Sequence, residues 1–179
     1  YNERGEHIWS GIDRGHIHKG WVGRIGQQGE LIATAVRIEE QTKTLEGRYY
    51  TGITEFAFEA LTGKPVKLPF SIADTAPVDI DGDGLHEIIL GMISGDAVVI
   101  DRKGNVLKKI GGRIAMCSKI VNHPGEQLLT YYPDGQVKIW MDVNAEDSPQ
   151  ALKRYANPFY HANRRFPTKE SIMCILGGI

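Results

Sequence analysis

Short runs of β-branched and aromatic residues, each closed by glycine, proline or aspartate, recur along the chain, and that rhythm predicts strands. The clearest runs are Trp21 to Ile25, Leu31 to Ile38, Thr51 to Phe58, Glu87 to Met92, Ala97 to Ile100, Asn105 to Ile110, Gln127 to Tyr132 and Gln136 to Met141. Few segments keep an apolar spacing of three to four over a dozen residues, so helices are expected to be minor. The expected class is all-β.

Within the series a unit repeats. Glu87-Ile88-Ile89-Leu90-Gly91 leads through Ser94-Gly95-Asp96 into Ala97-Val98-Val99-Ile100, and Asp101 to Asn105 turns into Val106 to Ile110. Gln127 to Tyr132 leads in the same way through Pro133-Asp134-Gly135 into Gln136 to Trp140. Glu87 and Gln127 are 40 positions apart, about the length of one four-stranded propeller blade. A less regular unit covers Trp21 to Phe70, with Glu59 to Lys64 as a turn. The expected fold is therefore a partial β-propeller of about three to four blades, with blades near 15–70, 71–115 and 116–167 and terminal strands beyond. Because propellers close with about four to eight blades, the chain is expected to belong to a larger ring or to assemble with further blades. An irregular β-sandwich is the alternative.

One segment carries concentrated chemistry. In Asp79-Ile80-Asp81-Gly82-Asp83-Gly84-Leu85-His86-Glu87, carboxylates stand at positions one, three and five, Leu85 offers a carbonyl at seven, and Glu87 follows at nine. Crowded carboxylates repel one another unless a hard cation gathers them, and calcium takes six to eight oxygens. Gly82 and Gly84 give so tight a loop its backbone freedom. An acid at nine rather than twelve, followed at once by the strand-like Ile88-Ile89-Leu90, argues against an EF-hand. The expected ligands are Asp79, Asp81, Asp83, Leu85 and Glu87; an acidic hairpin turn without metal is the alternative.

Composition narrows the picture. Lysine and arginine number 21 against 22 acids, a net charge of −1, which gives no general electrostatic reason to bind nucleic acid or an anionic membrane. No run approaches the ~18 apolar residues of a membrane span, and the start at Tyr1 lacks the basic-then-apolar pattern of a signal peptide. A chain without an initiator methionine is expected to have been trimmed. Cys117 and Cys174 lack metal-site spacing and are expected as buried thiols, with a disulfide as the alternative.

The loop resembles the Asp-x-Asp-Gly-Asp-Gly calcium loops of FG-GAP-type repeats, found in integrin-like propellers and secreted bacterial proteins. That resemblance implies a calcium ion that clamps a turn, and an extracellular or periplasmic location. Further stretches resemble the propeller of bacterial rhamnogalacturonan lyases: Gly15-His16-Ile17-His18-Lys19-Gly20-Trp21, Gly47-Arg48-Tyr49-Tyr50-Thr51 running into Glu55-Phe56-Ala57-Phe58, and Arg154-Tyr155-Ala156-Asn157-Pro158 with Asn163-Arg164-Arg165-Phe166-Pro167.

The second resemblance implies β-elimination on an acidic polysaccharide, in which a base removes a proton beside a carboxylate that a cation neutralises. His16, His18, Lys19, Arg48 and Tyr50 are then the candidate catalytic residues. Trp21 is the candidate sugar platform, with burial in the core beside Val22 and Ile25 as its other reading. Tyr160, His161, Arg164 and Arg165 form a second basic and aromatic cluster, whose arginines otherwise read as a solvated turn or a blade-closing contact. His16 and His18 would share one face of an extended stretch, with Lys19 opposite. The alternative is a non-catalytic, calcium-stabilised propeller that binds a glycan or protein partner.

Overall fold

The computed structural model describes the backbone of residues 1–2, 4–11, 16–44, 47–91, 95–163 and 175–176; the side chains of 16, 18, 38–44, 47–51, 163, 175 and 176 lie outside the described residues. Strands β1 (His16–Lys19), β2 (Trp21–Arg24), β3 (Leu31–Thr44) and β4 (Gly47–Glu59) come first. Then follow β5 (Thr75–Val78), β6 (Glu87–Leu90), β7 (Val98–Ile100), β8 (Val106–Lys109), β9 (Arg113–Ser118), β10 (Gln127–Tyr131) and β11 (Val137–Trp140). Helices α1 (Pro149–Ala156) and α2 (Pro158–Asn163) precede a short β12 (Ile175–Leu176). The class is all-β, as the short β-branched and aromatic runs predict.

Three sheets result. In the first, β1 and β2 lie along one edge of β3, β4 pairs along the other, and β12 joins β2 in parallel. The second is the antiparallel meander β5-β6-β7-β8, and the third the meander β9-β10-β11. Pro77 sits in β5, an edge strand, where a residue without an N–H leaves no ladder bond unmade.

Alternation along β6 sends successive side chains into two cores. Ile88 packs with Trp21, Ile25, Ile32, Val36 and Ile100 toward the first sheet, while Ile89 packs with Ala76, Val78, Val99, Ile114 and Leu128 toward the third. Each fully buried aliphatic side chain contributes about 1.5–3 kcal/mol, so the middle sheet is held from both faces. The third sheet differs. Leu128 faces the shared core, but on β11 Val137 and Ile139 are 66% and 42% exposed.

The repeat seen in the sequence is also a repeat of register. Val78 pairs with Glu87 across one hairpin, and Ser118 pairs with Gln127 across the next. The loops 79–86 and 119–126 are therefore equivalent, and they meet: a Cβ on Gly125 would clash with the Ile80 carbonyl oxygen.

Helix α1 was not legible in the apolar pattern. It begins at Ser148, whose hydroxyl accepts the Ala151 N–H at 3.1 Å, with Pro149 in the first turn where its missing N–H costs nothing. Ala151, Arg154 and Tyr155, spaced three and four apart, form its buried face. None of the helices among the described residues is long and apolar enough to cross a membrane.

Candidate metal centre

The loop after β5 folds on its own side chains. Asp79 Oδ2 accepts the Gly84 N–H at 3.1 Å, Asp81 Oδ1 accepts Asp83 N–H at 3.0 Å, and Asp83 Oδ1 accepts Leu85 N–H at 2.6 Å. These turns within the loop are what aspartate at alternate positions provides. Glu87, the first residue of β6, reaches back and accepts the Ile80 N–H at 3.2 Å.

One carboxylate oxygen each from Asp79, Asp81 and Glu87 then lies within 4.8 Å of the others. Of the five expected ligands, these three are brought together. Asp83 is exposed and lies outside that trio, one oxygen given to Leu85, and Leu85 is half-buried. Asp79 is 0% exposed, and its Oδ1 has no hydrogen-bond partner. A buried, unsatisfied carboxylate oxygen is costly. Gathered hard oxygens with one left over fit a divalent cation.

Burial and the charge of Asp81 push Glu87 up to about 8. Burial pushes Asp79 up to about 7, against the pull of the Arg154 guanidinium. Both shifts express the same strain: too much negative charge in too little solvent.

The equivalent loop after β9 closes the same geometry with a neutral side chain. Gln127 stands where Glu87 stands. Its Oε1 accepts Ile120 N–H at 2.7 Å and Val121 N–H at 3.0 Å, while Nε2 donates to the Gly125 carbonyl at 2.7 Å and the His123 carbonyl at 3.3 Å. By register, Gly125 corresponds to Leu85, whose carbonyl was expected at the metal, and His123 to Asp83. A carboxamide thus supplies positive hydrogens to the carbonyls of one loop. Glu87, a carboxylate, can only accept.

The site is anchored on every side. His86 Nδ1 accepts Arg24 N–H and His86 N–H donates to the Arg24 carbonyl, both at 3.0 Å, which ties the loop to the first sheet. Across the third sheet's loop, Glu126 Oε2 accepts Asp79 N–H at 2.9 Å and Glu126 N–H donates to the Asp79 carbonyl at 2.7 Å. Glu126 Oε1 takes the Tyr160 hydroxyl at 2.7 Å. Above the loop lies Arg154, 1% exposed, whose guanidinium donates to Asp79 Oδ2 and to the Gly84 carbonyl, each at 2.6 Å. Sequence reasoning missed Arg154 as a partner of the loop. The Ser-Pro start of α1 and the 154, 155 and 151 spacing were the available signals.

Of the residues expected to act on a polysaccharide, Trp21, Tyr160, His161 and Lys19 have described side chains. Trp21, expected to stack on a sugar, is 1% exposed in the core and presents no ring face to solvent. Tyr160 is likewise buried, its hydroxyl held by Glu126 and by the Lys119 N–H. His161 is exposed beside it on α2. Lys19 donates from Nζ to the Ala73 carbonyl at 3.2 Å, and burial pushes it down to about 8. The register of β1 shifts between Ile17 and Lys19, so the simple alternation placing His16 and His18 on one face is interrupted there. In β4, the backbones of Arg48 and Tyr50 pair with Lys43 and Gln41. The side chains of His16, His18, Arg48 and Tyr50, and all of Arg164, Arg165 and Cys174, lie outside the described residues. Cys117 carries a free thiol, which burial pushes up.

Comparison with protein-family models, with curated proteins and with solved structures finds no match.

Proposed function

We propose that this chain is a segment of a calcium-stabilised β-propeller that works outside the cytoplasm as a non-catalytic module for a glycan or protein partner. The observation that carries the reading is the pairing of Glu87 with Gln127 at equivalent register positions, together with the orphan Oδ1 of Asp79. Where one loop is clamped by a carboxamide, the other gathers carboxylates, and a hard dication is the complement they lack. Oxygen-only donors favour calcium over zinc, whose protein sites are built mainly on nitrogen and sulfur. The metal's role is structural because the carboxylates are taken up as ligands.

The propeller reading is supported by the 40-residue repeat of register and by β2, β5 and β9, the strands that lie next to one another across the three sheets. The exposed apolar residues of β11 are suited to a further blade. Isothermal titration of the whole chain with calcium tests the metal: one site per chain is expected, and absence of binding at millimolar calcium contradicts it.

A second reading is favoured by Lys19, whose amine at about 8 is a base usable near neutral pH. It is β-elimination on rhamnogalacturonan-type acidic polysaccharide. The calcium-loaded protein is mixed with that polymer and the ultraviolet absorbance of unsaturated uronate is followed. Product that disappears in Lys19→Met supports the lyase; no product from the wild type rejects it.

A further inference from the structure

We propose that Arg154 makes cation binding by the 79–87 loop and docking of helix α1 a single cooperative event, so that the ion's presence is read out in the C-terminal segment. The inference rests on the calcium reading above and adds a regulated element to it.

The geometry begins with the two oxygens of Asp79. Oδ2 faces the Gly84 N–H and the Arg154 guanidinium, while Oδ1 has no partner. One carboxylate is thereby divided between two cations, a permanent one supplied by α1 and an exchangeable one supplied by solvent. The contact that α1 supplies through Arg154 fixes the orientation of the carboxylate whose other oxygen the ion would use.

The backbone repeats this coupling. Asp81 and Gly82 give their carbonyls to the N–H groups of Glu146 at 3.0 Å and Ser148 at 2.8 Å, and Gly84 gives its carbonyl to Arg154. The segment leading into α1 therefore holds the loop's backbone at three points, fixing the turn that aims Asp79, Asp81 and Glu87 at one another. A Cβ on Gly84 would fall 2.9 Å from Ser148 Oγ, so the two segments approach closely.

Charge allows both cations at once. Asp79, Asp81, Asp83 and Glu87 carry four negative charges when ionised; one guanidinium and one calcium supply three positive charges, so neither cation need displace the other. The same segment reaches the third sheet's loop, because Lys119 Nζ meets Asp147 Oδ2 at 2.8 Å and lies over the Tyr155 ring at 4.4 Å. An ion in one loop thus steadies a contact to the next.

Thermodynamic linkage makes the coupling reciprocal. Hydrogen exchange of the full chain, measured with saturating calcium and with a chelator, reads one direction; calorimetry of calcium binding reads the other. Amides of 151–156 are expected to exchange about tenfold more slowly with calcium, and Arg154→Gln to bind calcium about tenfold more weakly while losing that protection. Arg154→Lys, which keeps charge but not the two-pronged geometry, is expected to fall between. Helix exchange that is the same with and without bound calcium overturns the inference, as does an Arg154→Gln chain that binds calcium as tightly as, or more tightly than, wild type. Should Arg154→Gln not fold, the wild-type exchange comparison still decides. A wild type that takes up no calcium overturns the metal reading itself, a result calorimetry separates from failed coupling.

Discussion

Glu126 grips the backbone of Asp79 from both sides, its carboxylate on the Asp79 N–H and its own N–H on the Asp79 carbonyl. Forty positions earlier, His86 grips Arg24 in the same two-point fashion. The repeat is therefore more than a recurrence of strands. Each of these two loops reaches back and fastens the end of a strand in the preceding sheet, and the acidic loop is both a clasp and the thing clasped. Glu126→Ala removes the bonds to Asp79 N–H and to Tyr160 together. A loss of about 2–4 kcal/mol is expected in denaturant unfolding, at ~1–2 kcal/mol for each buried bond broken.

Exchanging the two equivalent residues tests the roles assigned to them. Glu87→Gln installs the carboxamide solution in the acidic loop, so calcium-free protein is expected to unfold at higher denaturant, by roughly 1–2 kcal/mol, while its response to calcium is lost. Gln127→Glu removes two donated hydrogen bonds and buries a charge, with an expected loss of about 2–4 kcal/mol. Equal and opposite shifts in the calcium response are not expected, because the loop 119–126 lacks the alternating aspartates.

Acidity supplies a prediction with a definite sign. Glu87 is raised from 4.5 to about 8 in the folded, calcium-free chain, so the folded state holds its proton more tightly than the unfolded state. That contribution is fully present below about pH 4 and is lost as pH rises through about 8. Calcium-free protein should therefore lose part of its stability between those limits, whereas calcium, which requires the ionised carboxylate, should bind more tightly over the same rise. Unfolding midpoints with chelator and with calcium, compared from pH 5 to 8, are expected to move in opposite directions; parallel curves contradict the assignment.

Asp81→Asn and Asp79→Asn should differ in kind. The first removes a half-buried ligand and is expected to abolish the calcium-induced rise in melting temperature with under ~1 kcal/mol lost from the calcium-free fold. The second leaves the Arg154 guanidinium buried without its counter-charge, at an expected cost of about 3–5 kcal/mol. Thermal melts of the two variants, each with and without calcium, separate ligation from folding.

Two glycines with left-handed backbone provide a packing test. Gly125 (φ 69) lies against the Ile80 carbonyl, while Gly135 (φ 86) has no atom within 4 Å of a notional Cβ. Gly135→Ala meets only the left-handed penalty of about 1–2 kcal/mol. Gly125→Ala must also part the two loops, so its cost should exceed that of Gly135→Ala clearly in chemical denaturation.

The strands were legible because runs of β-branched and aromatic residues are closed by glycine, proline or aspartate, and each of the eight predicted runs overlaps a strand. Other elements were not. β5 is buried at all four residues and contains Pro77, so it has neither alternation nor a usual strand composition. α1 spans only 8 residues, too few for a helical period to stand out. The acidic spacing gave three of the five expected ligands as a converged trio, but not Arg154, because a partner 75 positions away is set by how α1 docks. For Trp21 the sequence offers two readings, a sugar platform beside a basic stretch or a core residue beside Val22 and Ile25, and the packing of the first sheet on the second selects the core.

The most direct test of the account is a crystal of the protein grown or soaked with calcium and measured for anomalous scattering. A peak is expected between Asp79 Oδ1, Asp81 and Glu87, with oxygens at about 2.3–2.6 Å. A calcium-soaked crystal with these three carboxylates ordered and no peak among them would contradict the central claim.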